Sequence, residues 1–391
     1  MKKLAIISTH PIQYNAPFFK HIVEKGQFEI KVFYTWSQSE SGYINDPDFN
    51  INRKWDIDLL DGYDYCFIDN IAKDPGSHHF LGIINPGLIS AVKTYKPNAL
   101  LVYGWAFKSH LATIRYFKNK LPVIFRGDSN SIDIASGKVA ILKSFLRHIF
   151  LSWVYQHIDY ALFVGKSNYD YYIQMGLKKD QLLYGPHAID NQRFNSITAV
   201  KQHELAKWKK DLGIDLGNFV FLFVGKLEPK KNPLLLLEAF KKITHPSAKL
   251  IFIGDGIFTN IIKDAAQKDA RILLLGFQNQ SIMPILYRIA NVLILPSKGP
   301  HETWGLTMNE AMASGLPIIA SNKCGGAIDL VIPTTGLIFE SDNLDDLYKS
   351  MNYCINNPLI CKSMGNYANK FIQQFSYTST SNILALLINQ F

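Results

Sequence analysis

The sequence predicts an α/β protein built from two doubly wound domains, each with a mostly parallel sheet. Its 391 residues exceed what one ordinary hydrophobic core organises. Hydrophobic residues make up 48% of the chain, which is enough for two buried cores. Short apolar runs, typical of buried strands, alternate with helical patterns along almost the whole chain.

The predicted strands form two blocks of five. In the first block they lie at residues 4–8, 30–36, 99–104, 122–127 and 160–165. In the second block they lie at residues 219–225, 249–255, 271–277, 291–297 and 317–321. Helical patterns, such as those at residues 233–243 and 258–268, fall between them. Two such blocks in series predict two domains, with ligands at the carboxyl ends of the strands.

We expect the domain boundary near residues 196–203, after a loop that ends in Phe194 and before a polar helix. The N-terminal domain is predicted over residues 1–200 and the C-terminal domain over residues 201–366. The tail that follows has amphipathic helical character.

The composition argues against a membrane-spanning, secreted or disulfide-rich protein. No apolar run approaches the ~20 residues that span a bilayer. The chain reaches His10 and Pro11 too soon for a signal-peptide core, so its start predicts a first strand. The cysteines show neither metal-binding spacing nor the density of a disulfide framework, and they are Cys66, Cys324, Cys354 and Cys361. We therefore expect a protein of the cytoplasm.

The net charge of +9 is unevenly placed. Between Leu81 and Ser152, ten Lys or Arg residues face two acids, Asp128 and Asp133. A basic face of this kind can meet nucleic acid, anionic lipid or a phosphorylated substrate. No zinc-finger spacing or arginine-rich arm is present, so we do not expect nucleic acid as a partner. A solvated surface is the alternative.

A basic, aromatic helix is predicted at residues 138–158 within this segment. Such a helix can lie on an anionic membrane surface at the inner face of the cytoplasmic membrane. It can equally pack its apolar face on the sheet. The sequence leaves both interpretations open.

The segment at residues 302–317 carries the strongest functional signal. Glu302 precedes a short loop, and Glu310 lies in a helix that Gly315 and Pro317 bring to an end. The first helical turn falls near Gly305, Leu306 and Thr307, where unpaired backbone N–H groups attract a phosphate. Carboxylates on both sides of an anion site suit a ligand with a central diphosphate and hydroxyl groups at both ends. A nucleotide-sugar has this layout.

A lysine loop follows the strand at residues 219–225. Lys226 and Lys231 flank the start of the next helix, where Asn232 is a plausible N-cap and Pro233 a suitable first residue. Both lysines can neutralise a diphosphate there, or both are simply solvated. Further along, Phe277 ends a strand and can lie against a nucleobase or in the core.

These motifs resemble the donor-binding domain of the GT-B retaining glycosyltransferases known as group 1 or family 4. The family pattern G-R-L-x-x-x-K-G is matched by Gly225 to Asn232, and its E-x7-E element by Glu302 to Glu310. The match runs from about residue 219 to 340. Lys226 replaces an arginine, which keeps the charge but loses the bidentate fork. Asn232 replaces a glycine.

The resemblance implies a role for each motif residue. Lys226 and Lys231 would hold the donor diphosphate, with backbone N–H groups near Gly305 and Leu306 completing that site. Glu310 would bind the ribose hydroxyls and Glu302 the donor sugar. Glu302 as a covalent nucleophile is the sharper alternative. The predicted donor site also includes Gly225, Phe277, Trp304 and Thr307. No metal or other cofactor is expected, since the lysines and the helix start supply positive charge.

The N-terminal half resembles the family less closely. Residues 186–194 resemble its P-N-G-[VI]-D-x-x-x-F loop, with His187 and Ala188 in place of Asn-Gly. The run His-Pro-Ile-Gln-Tyr resembles a subset of these enzymes, which implies that His10, Gln13 and Tyr14 face the cleft between the domains. Packing of the loop is the alternative.

The predicted strand at residues 122–127 ends without the histidine that many family members have there. Asp128, in the catalytic role, is a candidate general base for the acceptor hydroxyl. Arg126 is a candidate ligand for an acceptor phosphate. The alternative is that the two residues form a structural pair.

The resemblance implies a GT-B fold, with two Rossmann-like domains facing a central cleft and a last helix, at about residues 367–391, packing back on the first. The implied activity moves a sugar from a nucleotide-diphosphate sugar to a glycan or lipid-linked acceptor, as in bacterial surface polysaccharide assembly. A sugar-nucleotide epimerase and a non-catalytic nucleotide- or glycan-binding protein are the alternatives. A nicotinamide-dependent dehydrogenase is disfavoured because no GxGxxG follows Ser8 or Ile253.

Overall fold

The chain folds into two compact units. The computed structural model describes residues 1–36, 43–46, 51–132, 138–196, 199–299 and 302–391. The first unit comprises Met1–His187 together with Tyr377–Phe391, and the second comprises Ala188–Ser376.

The first unit contains a seven-stranded parallel sheet with the order β5-β2-β1-β6-β7-β8-β9. Strands β3 and β4 form a separate antiparallel pair. The strands of this unit are β1 (Lys3–Ser8), β2 (Glu29–Tyr34), β3 (Tyr43–Asp46), β4 (Ile51–Lys54), β5 (Asp64–Phe67), β6 (Ala99–Tyr103), β7 (Val123–Arg126), β8 (Tyr160–Phe163) and β9 (Leu182–Tyr184). Its α-helices are α1 (Ala16–Lys25), α2 (Leu88–Tyr95), α3 (Lys108–Phe117), α4 (Lys138–Tyr155), α5 (Lys166–Gln174) and, at the end of the chain, α15 (Tyr377–Ile388).

The second unit contains a six-stranded parallel sheet with the order β12-β11-β10-β13-β14-β15. Its strands are β10 (Phe219–Val224), β11 (Ala248–Ile253), β12 (Ile272–Leu274), β13 (Val292–Leu295), β14 (Ile318–Ser321) and β15 (Gly336–Phe339). Its α-helices are α6 (Asn191–Asn195), α7 (Ala199–Asp211), α8 (Pro233–Lys241), α9 (Thr259–Lys268), α10 (Met283–Ile289), α11 (Leu306–Ala313), α12 (Ala327–Leu330), α13 (Leu344–Asn356) and α14 (Pro358–Phe371).

Both sheets are buried on two faces, as parallel sheets with helical crossovers require. In β1, Leu4 and Ile6 pack into one hydrophobic cluster, which includes Leu384 of α15. Their neighbours Ala5 and Ile7 pack into the cluster on the opposite face. The alternation follows from the two-residue period of a strand. It explains why these strands read as continuous apolar runs in the sequence.

The strand orders confirm the predicted fold class of two doubly wound parallel-sheet domains. Each of the ten predicted strand segments contains a strand. Strands β3, β4, β5, β9 and β15 lie outside these segments. Strands β5 and β9 are short and only partly buried, so neither shows a long apolar run. Winding reverses between β1 and β6 in the first unit, and between β10 and β13 in the second. These two switch points are where ligands of such sheets bind.

The structure divides the chain earlier than the predicted boundary near residue 200, because helix α6 is anchored in the second unit. The side-chain amide of Asn191 donates to the carbonyl groups of Ile372, at 3.3 Å, and Phe375, at 3.1 Å. The returning helix begins at Tyr377, later than the predicted residue 367, since α14 packs on α11 instead. Residues 197 and 198 of the predicted linker lie outside the described part of the chain.

Candidate functional site

Two loops meet at the switch point of the second unit. Strands β10 and β13 are hydrogen-bonded neighbours, with Leu222 paired to Leu293, so the loops that follow them lie side by side. The backbone N–H of Lys298 donates to the carbonyl of Lys230 at 3.0 Å and joins the loops. The contact between the loops brings together Lys231 and Glu302, which were predicted from separate motifs.

Lys231 and Glu302 form an ion pair across these loops. The Lys231 Nζ lies 2.5 Å from Glu302 Oε2, and the side chains are only 17% and 7% exposed. Ser297 Oγ donates to the same carboxylate oxygen at 3.0 Å. Removal of both charges from water is costly, and the contact and hydrogen bond offset that cost.

The surroundings of the pair are largely closed to water. Burial, together with the negative charge of Glu302, raises the pKa of Cys324 to about 12. Cys324 is therefore a neutral thiol at pH 7, and it lines the site without adding charge. A charge that develops in such a site interacts more strongly with nearby groups than it would in water.

The loop that carries Glu302 is held by the glycine pair after β14. The backbone N–H of Gly325 donates to the carbonyl of Glu302 at 2.8 Å, and that of Gly326 donates to the carbonyl of Trp304 at 2.9 Å. A Cβ on Gly326 would lie 2.8 Å from this Trp304 oxygen, so no larger residue fits there. The Trp304 side chain is buried, and its indole N–H donates to Asn309 Oδ1 at 2.8 Å. Its side chain thus packs within the domain.

Helix α11 starts immediately after this loop. Gly305 precedes it with φ +94°, and a Cβ there would lie 2.7 Å from Leu295 Cδ2. Both conditions restrict the position to glycine. The N–H groups of Leu306 and Thr307 occupy the first helical turn, where no intrahelical acceptor exists. Within the described residues, the buried Thr307 Oγ1 also has no hydrogen-bond partner. The helix start therefore offers donors suited to an anion.

Glu310 lies further along α11 and is buried, with 2% of its surface exposed. Its Oε2 accepts a hydrogen bond of 2.6 Å from the hydroxyl of Tyr287, which lies on α10. Tyr287 was not predicted as a site residue, because its contact with Glu310 joins two separate helices across the intervening strand β13. This bond orients the carboxylate.

The lysine loop differs from its predicted chemistry at one residue. Asn232 precedes α8, but its side chain makes no capping hydrogen bond. Its Nδ2 donates instead to Asp342 Oδ1 at 2.8 Å, and its φ is +53°. Asparagine is one of the few residues that tolerate this left-handed conformation, which accounts for its place where the family pattern has glycine. Lys226 is half-buried in the same loop.

The turn after β11 packs directly on the lysine loop. The N–H of Leu227 donates to the carbonyl of Asp255 at 2.9 Å. A Cβ on Gly254 would lie 2.0 Å from the carbonyl oxygen of Gly225, so this glycine allows the close approach. Asp255 Oδ2 in turn accepts from the backbone N–H of Phe277 at 3.1 Å. Phe277 is half-buried, and its contact with a nucleobase stays a prediction.

In the first unit, the loop after β1 carries the predicted acceptor residues. His10 Nδ1 lies 3.0 Å from Thr9 Oγ1, and its ring meets the Trp36 ring edge-on at 5.3 Å. Burial lowers the pKa of His10 to about 4, so the ring is neutral at pH 7. Gln13 is half-buried, and the carbonyl of Tyr14 accepts from the hydroxyl of Tyr377 at 3.2 Å.

The end of β7 places Arg126 and Asp128 in different surroundings. The buried Arg126 guanidinium donates to the carbonyl groups of Gly185, at 2.8 Å, and Pro186, at 3.1 Å. It thereby fixes the segment that carries His187. Asp128 Oδ2 lies 3.6 Å from His187 Nε2. The sequence singled out Asp128 but not its pairing with His187, since the two come from different loops.

Residues 205–371 match the family model described as glycosyl transferases group 1. This part of the chain is therefore similar to the group 1 glycosyl transferases. The motif residues of the second unit, from Gly225 to Glu310, all lie within it.

Two relatives illustrate the match. A UDP-Gal:alpha-D-GlcNAc-diphosphoundecaprenol alpha-1,3-galactosyltransferase of Escherichia coli is 30% identical over 199 residues, which are 49% of this chain and 49% of that protein. A D-inositol 3-phosphate glycosyltransferase of Corynebacterium glutamicum is 28% identical over 192 residues, 46% of each chain. The chain therefore spans about half the length of the relatives it matches.

Solved structures share the fold along the whole chain. The Anabaena protein HepE in complex with UDP superimposes with a TM-score of 0.71 at 17% identity, covering 100% of both chains. This likeness confirms the predicted GT-B fold. Membership of family 4, and of the subset with the N-terminal His-Pro-Ile-Gln-Tyr run, stays a prediction. In the described residues, no helix is long and apolar enough to cross a membrane.

The buried Lys231–Glu302 ion pair should contribute strongly to the stability of the second unit. Lys231→Met should lower the free energy of unfolding by about 3 kcal/mol, because it leaves the carboxylate of Glu302 buried without its partner. The double variant Lys231→Met/Glu302→Gln should be more stable than Lys231→Met alone. Urea unfolding of both single variants and the double variant measures the coupling.

The exposed pair Lys241–Glu238, at 2.7 Å, provides the matched control. Its coupling in the same cycle should stay below about 1 kcal/mol, since solvent screens it. Additive effects at Lys231 and Glu302 would contradict the structural account of the pair.

Proposed function

We propose that this protein is a retaining glycosyltransferase that moves a sugar from a nucleotide-diphosphate sugar to an acceptor hydroxyl. The observation that carries the proposal is the buried Lys231–Glu302 pair beside the start of α11. The ammonium of Lys231, the backbone N–H groups at the start of α11 and the carboxylate of Glu302 lie in one largely buried region. This set matches a diphosphate next to a hydroxyl-bearing sugar.

Each charge in the pair has a part in donor binding. The ammonium of Lys231, with Lys226 and the first-turn N–H groups of α11, stabilises the negative charge that grows on the leaving diphosphate. Glu302 accepts hydrogen bonds from the sugar, and Glu310, oriented by Tyr287, accepts them from the ribose. When the donor binds, Lys231 exchanges part of its contact with Glu302 for the diphosphate. Neither group is then left buried and unpaired.

The reaction that fits this set is a front-side displacement through an oxocarbenium-like state. The protein stabilises the departing diphosphate and does not supply a nucleophile. Since two lysines and a helix start already supply positive charge there, we propose that donor binding and transfer require no metal ion. Transfer should therefore persist in the presence of EDTA, and its loss would contradict this part of the proposal.

The similar proteins suggest which substrates to test first. HepE has been solved with UDP and with UDP-glucose, and the relative from Escherichia coli is named for UDP-Gal and for an acceptor on diphosphoundecaprenol. We therefore propose a UDP-hexose as donor and a lipid-linked glycan as acceptor, in the assembly of a bacterial surface polysaccharide. A sugar-nucleotide epimerase would convert the nucleotide-sugar without an acceptor, whereas the proposed transferase releases free nucleotide only when an acceptor is present.

Lys231→Ala should reduce sugar transfer by about 10²–10³-fold, because the leaving diphosphate loses its buried cation. Glu302→Gln should reduce it by a similar factor, since a sugar contact formed in the transition state is weakened. The release of UDP in the presence of acceptor measures both rates. Lys241→Ala is the control, as this lysine pairs with Glu238 on the surface and should leave transfer unchanged. Near wild-type turnover in Lys231→Ala would refute the site assignment.

We further propose that Asp128 and His187 together receive the proton of the acceptor hydroxyl. Their side chains lie 3.6 Å apart at the carboxyl edge of the first sheet, and Arg126 fixes the backbone beside His187. His10, Gln13 and Tyr14 are proposed to bind the acceptor at the same edge. The role of Arg126 toward an acceptor phosphate also stays a proposal.

The decrease of the transfer rate at acidic pH should reflect protonation of His187. Burial holds the pKa of His187 below its ordinary value near 6.5, while Asp128 raises it and Arg126 lowers it. Transfer should therefore be constant near pH 7 and fall only as the pH drops below 6.5. Asp128→Asn should cut transfer by about 10²-fold and move this decrease to lower pH, since a group that raises the His187 pKa is lost. An unchanged profile in both Asp128→Asn and His187→Asn would contradict the pairing.

A peripheral contact with the inner face of the cytoplasmic membrane is proposed for the basic segment. On α4, Phe145, Leu146 and Ile149 are exposed apolar residues within this segment. Such a helix binds anionic lipid through both its charge and its apolar side chains. The protein should float with vesicles that contain anionic lipid at low salt, and not with purely zwitterionic vesicles. Absence of binding to both would contradict the contact.

A further inference from the structure

The first unit contains an apolar cavity of about 640 Å³ that the proposed reaction does not use. Its walls include Trp105 and Phe107, in the loop after β6, and Phe150 and Trp153 of α4. A volume of this size is within the range of about 300–1,000 Å³ that small-molecule sites occupy.

The cavity lies at the functional edge of the first sheet. Strand β6 ends at Tyr103, and α3 begins at Lys108, so Trp105 and Phe107 stand at the carboxyl end of a central strand. The loop with His10 and the end of β7 with Asp128 belong to the same edge, because β1, β6 and β7 are parallel neighbours. A ligand in the cavity is therefore on the acceptor side of this unit.

Aromatic contacts give the cavity a defined shape. The Trp105 and Phe150 rings meet edge-on with centroids 5.6 Å apart, and the Phe150 and Trp153 rings lie 5.8 Å apart. Ring pairs at these distances attract each other beyond simple burial. The walls are thus held by one another and present carbon surface inward.

An exposed apolar stripe continues the cavity along α4. Phe145, Leu146, Ile149 and Phe150 are 58%, 58%, 51% and 43% exposed. Their spacing places them on one side of the helix. Phe80, which also lines the cavity, is 41% exposed. A contiguous apolar surface of this kind marks a binding site for an apolar ligand.

The charges around the cavity favour an anionic group on that ligand. The guanidinium of Arg115 lies over the Trp153 ring, 5.1 Å from its centroid. The segment from Leu81 to Ser152, which contributes Trp105, Phe107 and Phe150 to the walls, holds ten basic residues against two acids in its sequence. At the rim, the rings of His78 and His79 lie 3.1 and 3.2 Å from the carboxylate of Asp74, so this acid already has imidazole partners. Carbon surface next to excess positive charge is complementary to a long apolar chain with a phosphate.

We propose that this cavity binds the apolar chain of a phosphorylated lipid. Its identification with the acceptor lipid rests on the proposed function, whereas chain binding itself does not. The chain lies between the aromatic walls and along the α4 stripe, and the phosphate lies toward Arg115. This arrangement presents the sugar-bearing end of an acceptor at the edge that carries Asp128.

Calorimetric titration of the full chain with farnesyl phosphate, below its micellar concentration, tests the proposal. Wild-type protein should bind farnesyl phosphate, and inorganic phosphate should bind at least tenfold more weakly. Dodecyl phosphate distinguishes an isoprenoid from a straight chain, and binding of either supports the cavity. Ala106 is exposed and lines the cavity, so Ala106→Trp fills it without disturbing a core. This variant and Phe150→Ser should each weaken binding at least tenfold.

Leu386→Ser is the matched control, since Leu386 is an exposed apolar residue of α15 that does not line the cavity. It should bind farnesyl phosphate as the wild type does. Equal binding of inorganic and farnesyl phosphate, or wild-type affinity in both cavity variants, would overturn the proposal. Lys231→Ala should retain lipid binding, while Ala106→Trp should retain UDP binding. Failure of the cavity and failure of the sugar-transfer proposal are therefore separable.

Discussion

A buried ion pair between Lys231 and Glu302 joins the two loops that form the candidate site of the second unit. It closes the gap between two loops that end neighbouring parallel strands. Two charges can stay in such a place only if the backbone holds them in contact, because either one alone would be strongly destabilising. The bond from Lys298 to Lys230 and the hydroxyl of Ser297 supply that support. A charge in such desolvated surroundings interacts more strongly with another charge than it would in water.

The close contacts of the loops require residues without a Cβ, or with an unusual φ. Gly305 combines a φ of +94° with a side chain of β13 directly in front of it. Gly254 and Gly326 allow backbone to approach carbonyl oxygens where a Cβ would collide. Asn232 adopts φ +53° and ties its side chain to Asp342. The glycines and Asn232 therefore allow the turns that bring the lysine loop and the glutamate loop into contact.

Much of this architecture can be predicted from the sequence, because a strand that is buried on both faces is apolar along its whole length. The runs that form β10, β11 and β13 are of this kind. The lysine motif follows β10, and the glutamate motif lies in the loop after β13. Strand β5 lacks the signal because it is only partly buried. The side chains that contact the motif residues could not be predicted from the sequence either. Tyr287 reaches Glu310, and His187 reaches Asp128, only through the tertiary fold, and no local pattern encodes such a contact.

We propose that Glu302 binds the sugar of a nucleotide-diphosphate sugar, while Lys231 and the start of α11 bind its diphosphate. Calorimetry with UDP and with UDP-glucose, on wild-type protein and on Glu302→Gln, tests it most directly. The account predicts that Glu302→Gln weakens UDP-glucose by at least tenfold, about 1.4 kcal/mol, and leaves the affinity for UDP nearly unchanged. Equal losses for both ligands, or no loss for either, would contradict the assignment.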